Sequence, residues 1–299
     1  EYRETAETGE TLLDMALAQP EQISHDVGFI WKLAAGPDFE LTGNHKSWQR
    51  LKVAASYLMG RFNPEAGYVR AWDWGKDNME KVGWTIIDTM LNLPLLYWAS
   101  EDCGDPRYKF AAMKHADMAM RDHIRPDGSV YHVVVHDPVT GEAIEKRGLQ
   151  GYGKESSWSR GQSWALYGFT LSYLHTGKQE YLEMALKAKN LLISKFYDPE
   201  FGGTYWSLNA DESPLDTKKQ IYAIAFTIYG LAELNRATGD DQALEYAIKL
   251  FNCIEDHSYD EVLGGYFEAF TRSWDIIEDM RLSDKDANES KTMNTHLHV

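Results

Sequence analysis

The segment Ala237-Thr238-Gly239-Asp240 is a short polar turn between two helix-like stretches, Ala223 to Leu234 and Ala243 to Ile254. Three earlier turns repeat this pattern, and the Gly-to-Gly spacings along the chain are 61, 73 and 62 residues. Such periods indicate stacked supersecondary units, and a glycine after the first helix suits a left-handed C-cap. The sequence therefore predicts a repeated αα-hairpin. The earlier turns are Leu41-Thr42-Gly43-Asn44, Asp102-Cys103-Gly104-Asp105 and His175-Thr176-Gly177-Lys178.

The two helices of each hairpin differ in their apolar pattern. The second helices are amphipathic, whereas the first are more apolar, as in Leu91 to Ala99, which is typical of a helix covered on both sides. Gly-aromatic segments such as Gly202 to Trp206 lie between the hairpins and favour short strands. We therefore predict an all-α fold, an (α/α)6-type toroid or barrel with short β segments on one rim. An open helical array is the alternative.

The length of the chain limits the number of hairpins. Six hairpins of about 62 residues need roughly 370 residues, and the chain has 299. The count fits about five: four whole hairpins, an outer helix at Thr5 to Leu17 and a started inner helix at Thr295 to Val299. Such a ring leaves inner-helix faces exposed, so we expect a homo-oligomer, a tightened smaller ring or poor solubility.

Composition excludes several classes of function. The chain has 46 acidic and 30 basic residues, a net charge of −16 that argues against nucleic-acid binding. No apolar run approaches the roughly 20 residues of a membrane span, and no secretion signal starts the chain, so we expect a cytoplasmic protein. Cys103 and Cys253 have no partners at metal-ligand spacing, and no nucleotide fingerprint occurs. We expect neither a metal nor a cofactor.

Two acidic residues near the starts of predicted inner helices are candidates for acid–base chemistry. Asp88 lies in the largely apolar stretch Trp84 to Leu91, where burial would raise its pKa and suit proton transfer near neutral pH. Alternatively it is a helix N-cap, because Pro94 lets a helix begin only shortly before it. Asp26 is either another N-cap or a second carboxylate that shares the acid and base roles.

The stretch from Gln150 to Trp164 contains residue types that suit an anionic sugar. Trp158 and Trp164 offer aromatic faces for stacking, and Arg160 offers a planar guanidinium that can clamp a carboxylate. The alternative is that both tryptophans belong to the core of an inner helix. His132 alternates with apolar residues on a predicted strand, and is either a pocket residue or a half-buried structural histidine.

The first two thirds of the chain carry a set of motifs that together are highly specific. They are His25-Asp26-Val27-Gly28-Phe29, Gly60-Arg61-Phe62-Asn63-Pro64, Arg70-Ala71-Trp72, Ile86-Ile87-Asp88, Asn92-Leu93-Pro94-Leu95-Leu96, Gln150-Gly151-Tyr152 and Ser156-Ser157-Trp158-Ser159-Arg160-Gly161-Gln162. With these, residues 1–193 resemble the unsaturated glucuronyl hydrolases of glycoside hydrolase family 88. The resemblance implies an (α/α)6 barrel that removes a 4,5-unsaturated uronic acid from the non-reducing end of oligosaccharides.

The same resemblance implies roles for individual residues. Asp88 matches the general acid/base, which protonates C4 of the vinyl ether and activates water for attack at C5, and Asp26 matches the second essential carboxylate. Two departures are Ser24 and Leu149, each at a position where the family usually has histidine. The residues that match substrate-binding positions are Trp72, His132, Gln150, Trp158, Arg160 and Trp164.

The last third of the chain resembles a different family. Its motifs are Asp198-Pro199-Glu200-Phe201-Gly202-Gly203-Thr204-Tyr205-Trp206, Gly264-Gly265-Tyr266-Phe267-Glu268-Ala269-Phe270, Arg281-Leu282-Ser283-Asp284-Lys285-Asp286 and Met293-Asn294-Thr295-His296-Leu297-His298. They resemble the cellobiose 2-epimerases of the N-acylglucosamine 2-epimerase superfamily, which are also (α/α)6 barrels. His298 matches a catalytic histidine. The chain ends at Val299, before the glutamate and second histidine that the family uses, so we expect a structural role for His298.

The two resemblances lead to one main hypothesis and two alternatives. They divide the chain at residue 193 into a hydrolase-like part (1–193) and an epimerase-like part (194–299), which together make one chimera-like toroidal domain. We hypothesise a glycoside hydrolase whose partner is an oligosaccharide with an unsaturated uronic acid. The alternatives are a non-catalytic or engineered composite toroid, and a 2-epimerase for cellobiose-type disaccharides.

Overall fold

The computed structural model describes residues 2–72, 81–149, 153–282 and 286–299. Short 3₁₀ turns at Pro20–Gln22 and Ile87–Leu91, and a π turn at Leu192–Phe196, supplement the α-helices. No helix of the described residues is long and apolar enough to cross a membrane. The α-helices are α1 (Tyr2–Leu17), α2 (Val27–Thr42), α3 (His45–Gly60), α4 (Leu93–Cys103), α5 (Pro106–Asp122), α6 (Ser159–Thr176), α7 (Gln179–Leu191), α8 (Ile221–Thr238), α9 (Asp241–His257) and α10 (Met293–His296).

Short strands connect the helical hairpins and form sheets of two or three strands. The pairs β1–β2 and β9–β10 are antiparallel, and the orders of the larger sheets are β3-β4-β5 and β6-β7-β8. The strands are β1 (Phe62–Asn63), β2 (Tyr68–Val69), β3 (Trp84–Ile86), β4 (Val133–His136), β5 (Ala143–Arg147), β6 (Ser157–Trp158), β7 (Ser207–Leu208), β8 (Pro214–Asp216), β9 (Lys219–Gln220) and β10 (Ala269–Phe270).

The chain divides into two compact units. The first runs to His123 and includes Val133–Lys146, and the second comprises Ile124–His132 and the residues from Arg147 onward. In the first unit α2 pairs with α3 and α4 with α5, while α1 packs on α2 and α3. In the second unit α6 pairs with α7 and α8 with α9. The division by resemblance at residue 193 is a different one and stays a prediction.

The predicted hairpins and their glycine turns are confirmed. Gly43, Gly104, Gly177 and Gly239 follow α2, α4, α6 and α8 with φ values of 70°, 66°, 70° and 73°. This left-handed conformation costs a glycine little, and it ends each first helix so that the second can turn back. The fold class is therefore the predicted one, a helical fold of αα-hairpins with short strands between them.

Inner helices α6 and α8 pack against each other in the second unit. Their contact includes a hydrogen bond of 2.8 Å between the Ser163 and Thr227 hydroxyls. Gly230 of α8 lies against Leu166 of α6, since a Cβ added at this glycine would come within 2.8 Å of the leucine side chain. Both helices are buried along most of their length, as predicted for inner helices.

Helix α2 differs from α6 and α8 because one of its apolar faces is uncovered. Ile30, Leu33 and Leu41 are exposed, at spacings that place them along one side of the helix. This agrees with the expectation of exposed inner-helix faces. Oligomerisation and ring closure stay predictions.

Helix α2 approaches the start of α4 very closely at Gly28. An added Cβ would lie 2.5 Å from the backbone oxygen and 2.6 Å from the Cβ of Asn92. Because these contacts are to backbone and to a Cβ, relief requires the two segments to move apart.

We predict that Gly28→Ala lowers the free energy of unfolding by about 1–3 kcal/mol through this overpacking. Urea unfolding followed by circular dichroism measures the change. Gly36→Ala is the matched control in the same helix, because its nearest neighbour is the flexible end of Lys32. The control should be neutral or stabilising by up to about 1 kcal/mol. Equal effects of both substitutions would contradict the close-approach interpretation.

Candidate active site

Asp88 lies in the 3₁₀ turn Ile87–Leu91, between strand β3 and helix α4. Within this turn Asp88 alone is partly exposed, and its four neighbours are buried. Asn92, not Asp88, is the N-cap of α4, so the N-cap interpretation of Asp88 is wrong. The expected burial is only partial: the residue is partly exposed, whereas its Oδ2 is buried.

A buried polar network surrounds the Thr85 hydroxyl of strand β3. The hydroxyl of Thr85 lies 2.8 Å from Nε2 of His123 and 3.4 Å from Nδ1 of His136. Nε2 of His136 lies 3.0 Å from a carboxylate oxygen of Asp122. Burial opposes ionisation of Asp122, but hydrogen bonds from His136 and Arg121 outweigh it and hold the pKa of Asp122 well below its usual range.

Asp26 occupies the N-cap position of α2, but its side chain makes no capping hydrogen bond. Instead, its Oδ2 accepts a hydrogen bond of 3.0 Å from the hydroxyl of Ser24. Its Oδ1 lies 3.4 Å from Nε2 of the buried His25. The carboxylate is about half exposed, with a side-chain relative exposure of 55%. Asp26 is thus at the N-cap position without acting as a side-chain cap.

Three side chains connect the segments that carry the two acids. Nδ1 of His25 lies 3.0 Å from the hydroxyl of Thr89 and 3.3 Å from Nδ2 of Asn92. The same Nδ2 lies 3.4 Å from the backbone oxygen of Asp88. The segment of Asp26 and the turn of Asp88 are therefore fixed to each other within the first unit.

Two aromatic rings lie close to the guanidinium group of Arg160 in the second unit. Its guanidinium carbon lies 4.6 Å from the ring centroid of Trp164 and 5.5 Å from that of Tyr222. Trp158 lies across the backbone of α6, since a Cβ at Gly161 would come within 2.3 Å of its ring. Aromatic rings at these distances attract the planar cation.

The remaining predicted residues lie in different places. His132 is buried, and its ring centroid is 4.6 Å from that of Trp158. Trp72 belongs to the first unit, partly exposed, with its ring 5.9 Å from that of Trp84. Gln150 lies outside the described residues. His132, Trp158, Arg160 and Trp164 thus form one cluster in the second unit, and Asp26, Asp88 and Trp72 belong to the first.

His298 joins the cluster of the second unit. Its ring centroid is 4.7 Å from that of Phe226 and 5.3 Å from that of Tyr222, the ring that also stacks on Arg160. Burial lowers the pKa of His298. Tyr222 and Phe226 were missed by the sequence analysis, which had read Ala223 to Leu234 only as an apolar inner helix. Their aromatic rings at the start of that helix were the available signal.

Supporting residues were also missed in the first unit. Thr89 was noted only as part of the stretch Trp84 to Leu91, and Asn92 only as part of a motif. No sequence pattern indicated a network around the buried histidines His123 and His136. Among the described residues, no group of three or more His, Cys, Asp or Glu side chains could hold a metal ion.

Comparison with known proteins agrees with the hydrolase-like motifs. An unsaturated glucuronyl hydrolase of Bacillus sp. GL1 is 36% identical over 210 residues, which are 70% of this chain and 55% of that protein. A crystal structure of unsaturated glucuronyl hydrolase from Bacillus sp. GL1 matches with a TM-score of 0.75 and 30% identity, over 84% of this chain and 71% of that one. This chain is a homologue of the unsaturated glucuronyl hydrolases. A Streptococcus agalactiae hydrolase variant complexed with dGlcA-GalNAc6S also matches, with a TM-score of 0.62 and 25% identity, over 82% of this chain and 60% of that one.

The homology extends to a second family over the carboxyl-terminal part. The N-acylglucosamine 2-epimerase family matches residues 151–284. A cellobiose 2-epimerase of Bacteroides fragilis is 63% identical over 134 residues, which are 45% of this chain and 34% of that protein. The epimerase aligns with 45% of this chain and the Bacillus hydrolase with 70%. Because these shares add up to more than the whole chain, part of the chain resembles both families. The chain spans about one third to three fifths of the curated relatives' lengths.

We predict that His298 stays neutral at pH values where an exposed histidine is half protonated, because burial among aromatic rings disfavours its charged form. Histidine NMR titration, with His298→Gln for assignment, should give a pKa below the ordinary 6.5 or so. Tyr222→Ala should shift this pKa back towards that value by uncovering one side of the ring. An unperturbed pKa in the unmodified chain would contradict the burial of His298.

Proposed function

We propose that the chain is a glycoside hydrolase that removes a 4,5-unsaturated uronic acid from the non-reducing end of an oligosaccharide. The observation that carries this proposal is the pair of acids in the first unit. Asp88 is partly exposed in a turn of otherwise buried residues, and Asp26 lies beside Ser24 and His25 on a segment tied to that turn. The homology to unsaturated glucuronyl hydrolases supports the same reading.

The proposed reaction is hydration of the vinyl ether. The carboxyl group of Asp88 gives its proton to C4, and the positive charge develops at C5 and the ring oxygen. A water molecule adds to C5 and returns a proton to the Asp88 carboxylate, so the acid is regenerated. The resulting hemiketal opens and releases the rest of the sugar. The ionised carboxylate of Asp26 stabilises the developing positive charge and orients the water.

The second unit contains a cluster of residue types that suit an anionic sugar. The guanidinium of Arg160 lies near the rings of Trp164 and Tyr222 and is of the type that binds carboxylates. The ring of His132 lies beside Trp158, and the resemblance to the hydrolases matches both residues to substrate-binding positions. Because the whole chain is acidic, attraction of an anionic substrate depends on such local cations.

We predict that Asp88→Asn abolishes the loss of ultraviolet absorbance of an unsaturated uronyl disaccharide, with a rate reduction of at least roughly 100- to 10,000-fold, because the amide cannot transfer the proton. Asp26→Asn should also reduce kcat strongly. Glu155→Gln is the control, since Glu155 is an exposed loop acid whose contact is Lys154 at 3.8 Å.

The outcomes of this assay separate the hypotheses. Absorbance decay that survives Asp88→Asn contradicts the assigned acid. A folded chain that neither binds nor turns over the disaccharide contradicts the hydrolase and favours the non-catalytic composite toroid.

A sugar 2-epimerase is the second candidate, and the position of His298 favours it. His298 lies beside Tyr222 and Phe226, in the same cluster as Arg160. A histidine kept neutral by burial can accept a proton from carbon next to a carbonyl group.

We predict that, if this second activity exists, cellobiose is converted to glucosyl-mannose by the unmodified chain and by Asp88→Asn, but not by His298→Ala. Chromatographic separation of the two disaccharides measures the conversion. The reverse dependence, with His298→Ala active and Asp88→Asn inactive, would contradict His298 as the proton carrier. No conversion by any form rules out the epimerase.

A further inference from the structure

The orientation of one side-chain amide determines which nitrogen of His25 carries the proton. The His25 ring is buried, with 2% relative exposure, between Asn92 and Asp26. A neutral imidazole carries its hydrogen on either Nδ1 or Nε2, and only the protonated nitrogen can donate. The two tautomers would therefore present opposite hydrogen-bonding groups to Asp26.

The backbone fixes the amide of Asn92. The backbone N–H of Phe29 donates a hydrogen bond of 2.6 Å to Oδ1 of Asn92. A backbone N–H cannot accept, so the atom that faces it must be the amide oxygen. The amide nitrogen Nδ2 is then the atom that faces Nδ1 of His25, at 3.3 Å.

An amide nitrogen is a donor only, so Nδ1 of His25 must accept. The hydroxyl of Thr89, 3.0 Å from the same Nδ1, can donate to it as well. The ring hydrogen is therefore on Nε2, which lies 3.4 Å from Oδ1 of Asp26. Catalytic hydrogen bonds are often long before a substrate binds. Here a donor, Nε2–H of His25, faces an acceptor, Oδ1 of Asp26, so the contact can shorten to a hydrogen bond.

The ring is also kept neutral. Burial lowers the pKa of His25, the carboxylate of Asp26 opposes this, and the nearby Arg61 adds to the lowering. Asp26 and Arg61 are thus the charged groups that act on the ring. A neutral ring with one defined hydrogen orients a carboxylate without cancelling its charge.

We propose that His25 is a positioning residue for Asp26: Asn92 holds His25 as the Nε2–H tautomer, and this N–H, together with the Ser24 hydroxyl, fixes the orientation of the Asp26 carboxylate. Oδ2 of Asp26 accepts a hydrogen bond from Ser24, and Oδ1 lies 3.4 Å from Nε2 of His25. The consequence for catalysis rests on the proposed hydrolase function, whereas the tautomer does not.

The first test reads the tautomer directly. In the full chain with ¹⁵N-labelled histidine, and with His25→Gln for assignment, side-chain NMR should show an unprotonated Nδ1 and a protonated Nε2 for His25. In Asn92→Asp the new carboxylate accepts instead of donating, so Nδ1 should become protonated. A protonated Nδ1 in the unmodified chain, or unchanged nitrogen shifts in Asn92→Asp, would overturn the inference.

The second test separates positioning from a merely structural role. The terminal NH₂ of glutamine can replace Nε2–H, whereas the shorter asparagine reaches only the Nδ1 side. We expect His25→Gln to retain most of kcat, and His25→Asn and Asn92→Asp to lose roughly 10- to 100-fold in kcat with little change in KM, because Asp26 is misoriented. Equal losses in His25→Gln and His25→Asn, paralleled by equal losses of thermal stability, would mean a structural role.

The two tests also distinguish this inference from the function on which it rests. If NMR shows the Nε2–H tautomer and its reversal in Asn92→Asp, but no form of the chain hydrolyses the unsaturated disaccharide, the proposed function fails while the tautomer assignment stands. If hydrolysis is observed and the tautomer is the other one, the positioning role fails while the function stands.

Discussion

The side-chain amide of Asn92 is the interaction on which the arrangement of the first unit depends. Its oxygen accepts from the backbone of Phe29 at the start of α2, and its nitrogen faces His25 and the backbone of Asp88. Gly28 makes this possible, because any larger residue would push α2 away from Asn92. The starts of α2 and α4 are thereby fixed to each other by one buried polar group whose oxygen and nitrogen both have partners. Because loss of these hydrogen bonds is costly, the amide strongly favours this one arrangement of the two helices.

The helical architecture was predictable from the sequence, because the residues that start and end a helix act through their own backbone and their nearest neighbours. A glycine such as Gly177 in a left-handed conformation ends a helix through its own backbone freedom, whatever lies around it. The contrast between the apolar pattern of α8 and the amphipathic pattern of α9 likewise depends only on which faces are covered. The repeat period, the glycine turns and the apolar patterns of the helices therefore all predict the same αα-hairpins without any tertiary contact.

The site was only partly predictable, because its properties arise between segments far apart in sequence. Asp88 and Asp26 were identifiable as candidates, but the partly buried state of Asp88 depends on how its turn packs. The link through His25, Thr89 and Asn92 joins residues more than 60 positions apart. Similarly, His298 was assigned to another family's chemistry, and only the packing of α8 shows that it shares Tyr222 with Arg160.

Helices α6 and α8 both lie within residues 151–284, the part of the chain that matches the N-acylglucosamine 2-epimerase family. Helix α6 also carries Arg160 of the hydrolase-like motif. The two helices meet through small and aromatic residues, with Gly230 against Leu166, and Trp164 5.7 Å from Phe226 between ring centroids. An interface of this kind depends on volume and shape more than on specific polar partners, so inner helices of similar period can replace one another. The polar groups that must match, by contrast, lie within segments: the link of His25 to Asn92 is complete in the first unit.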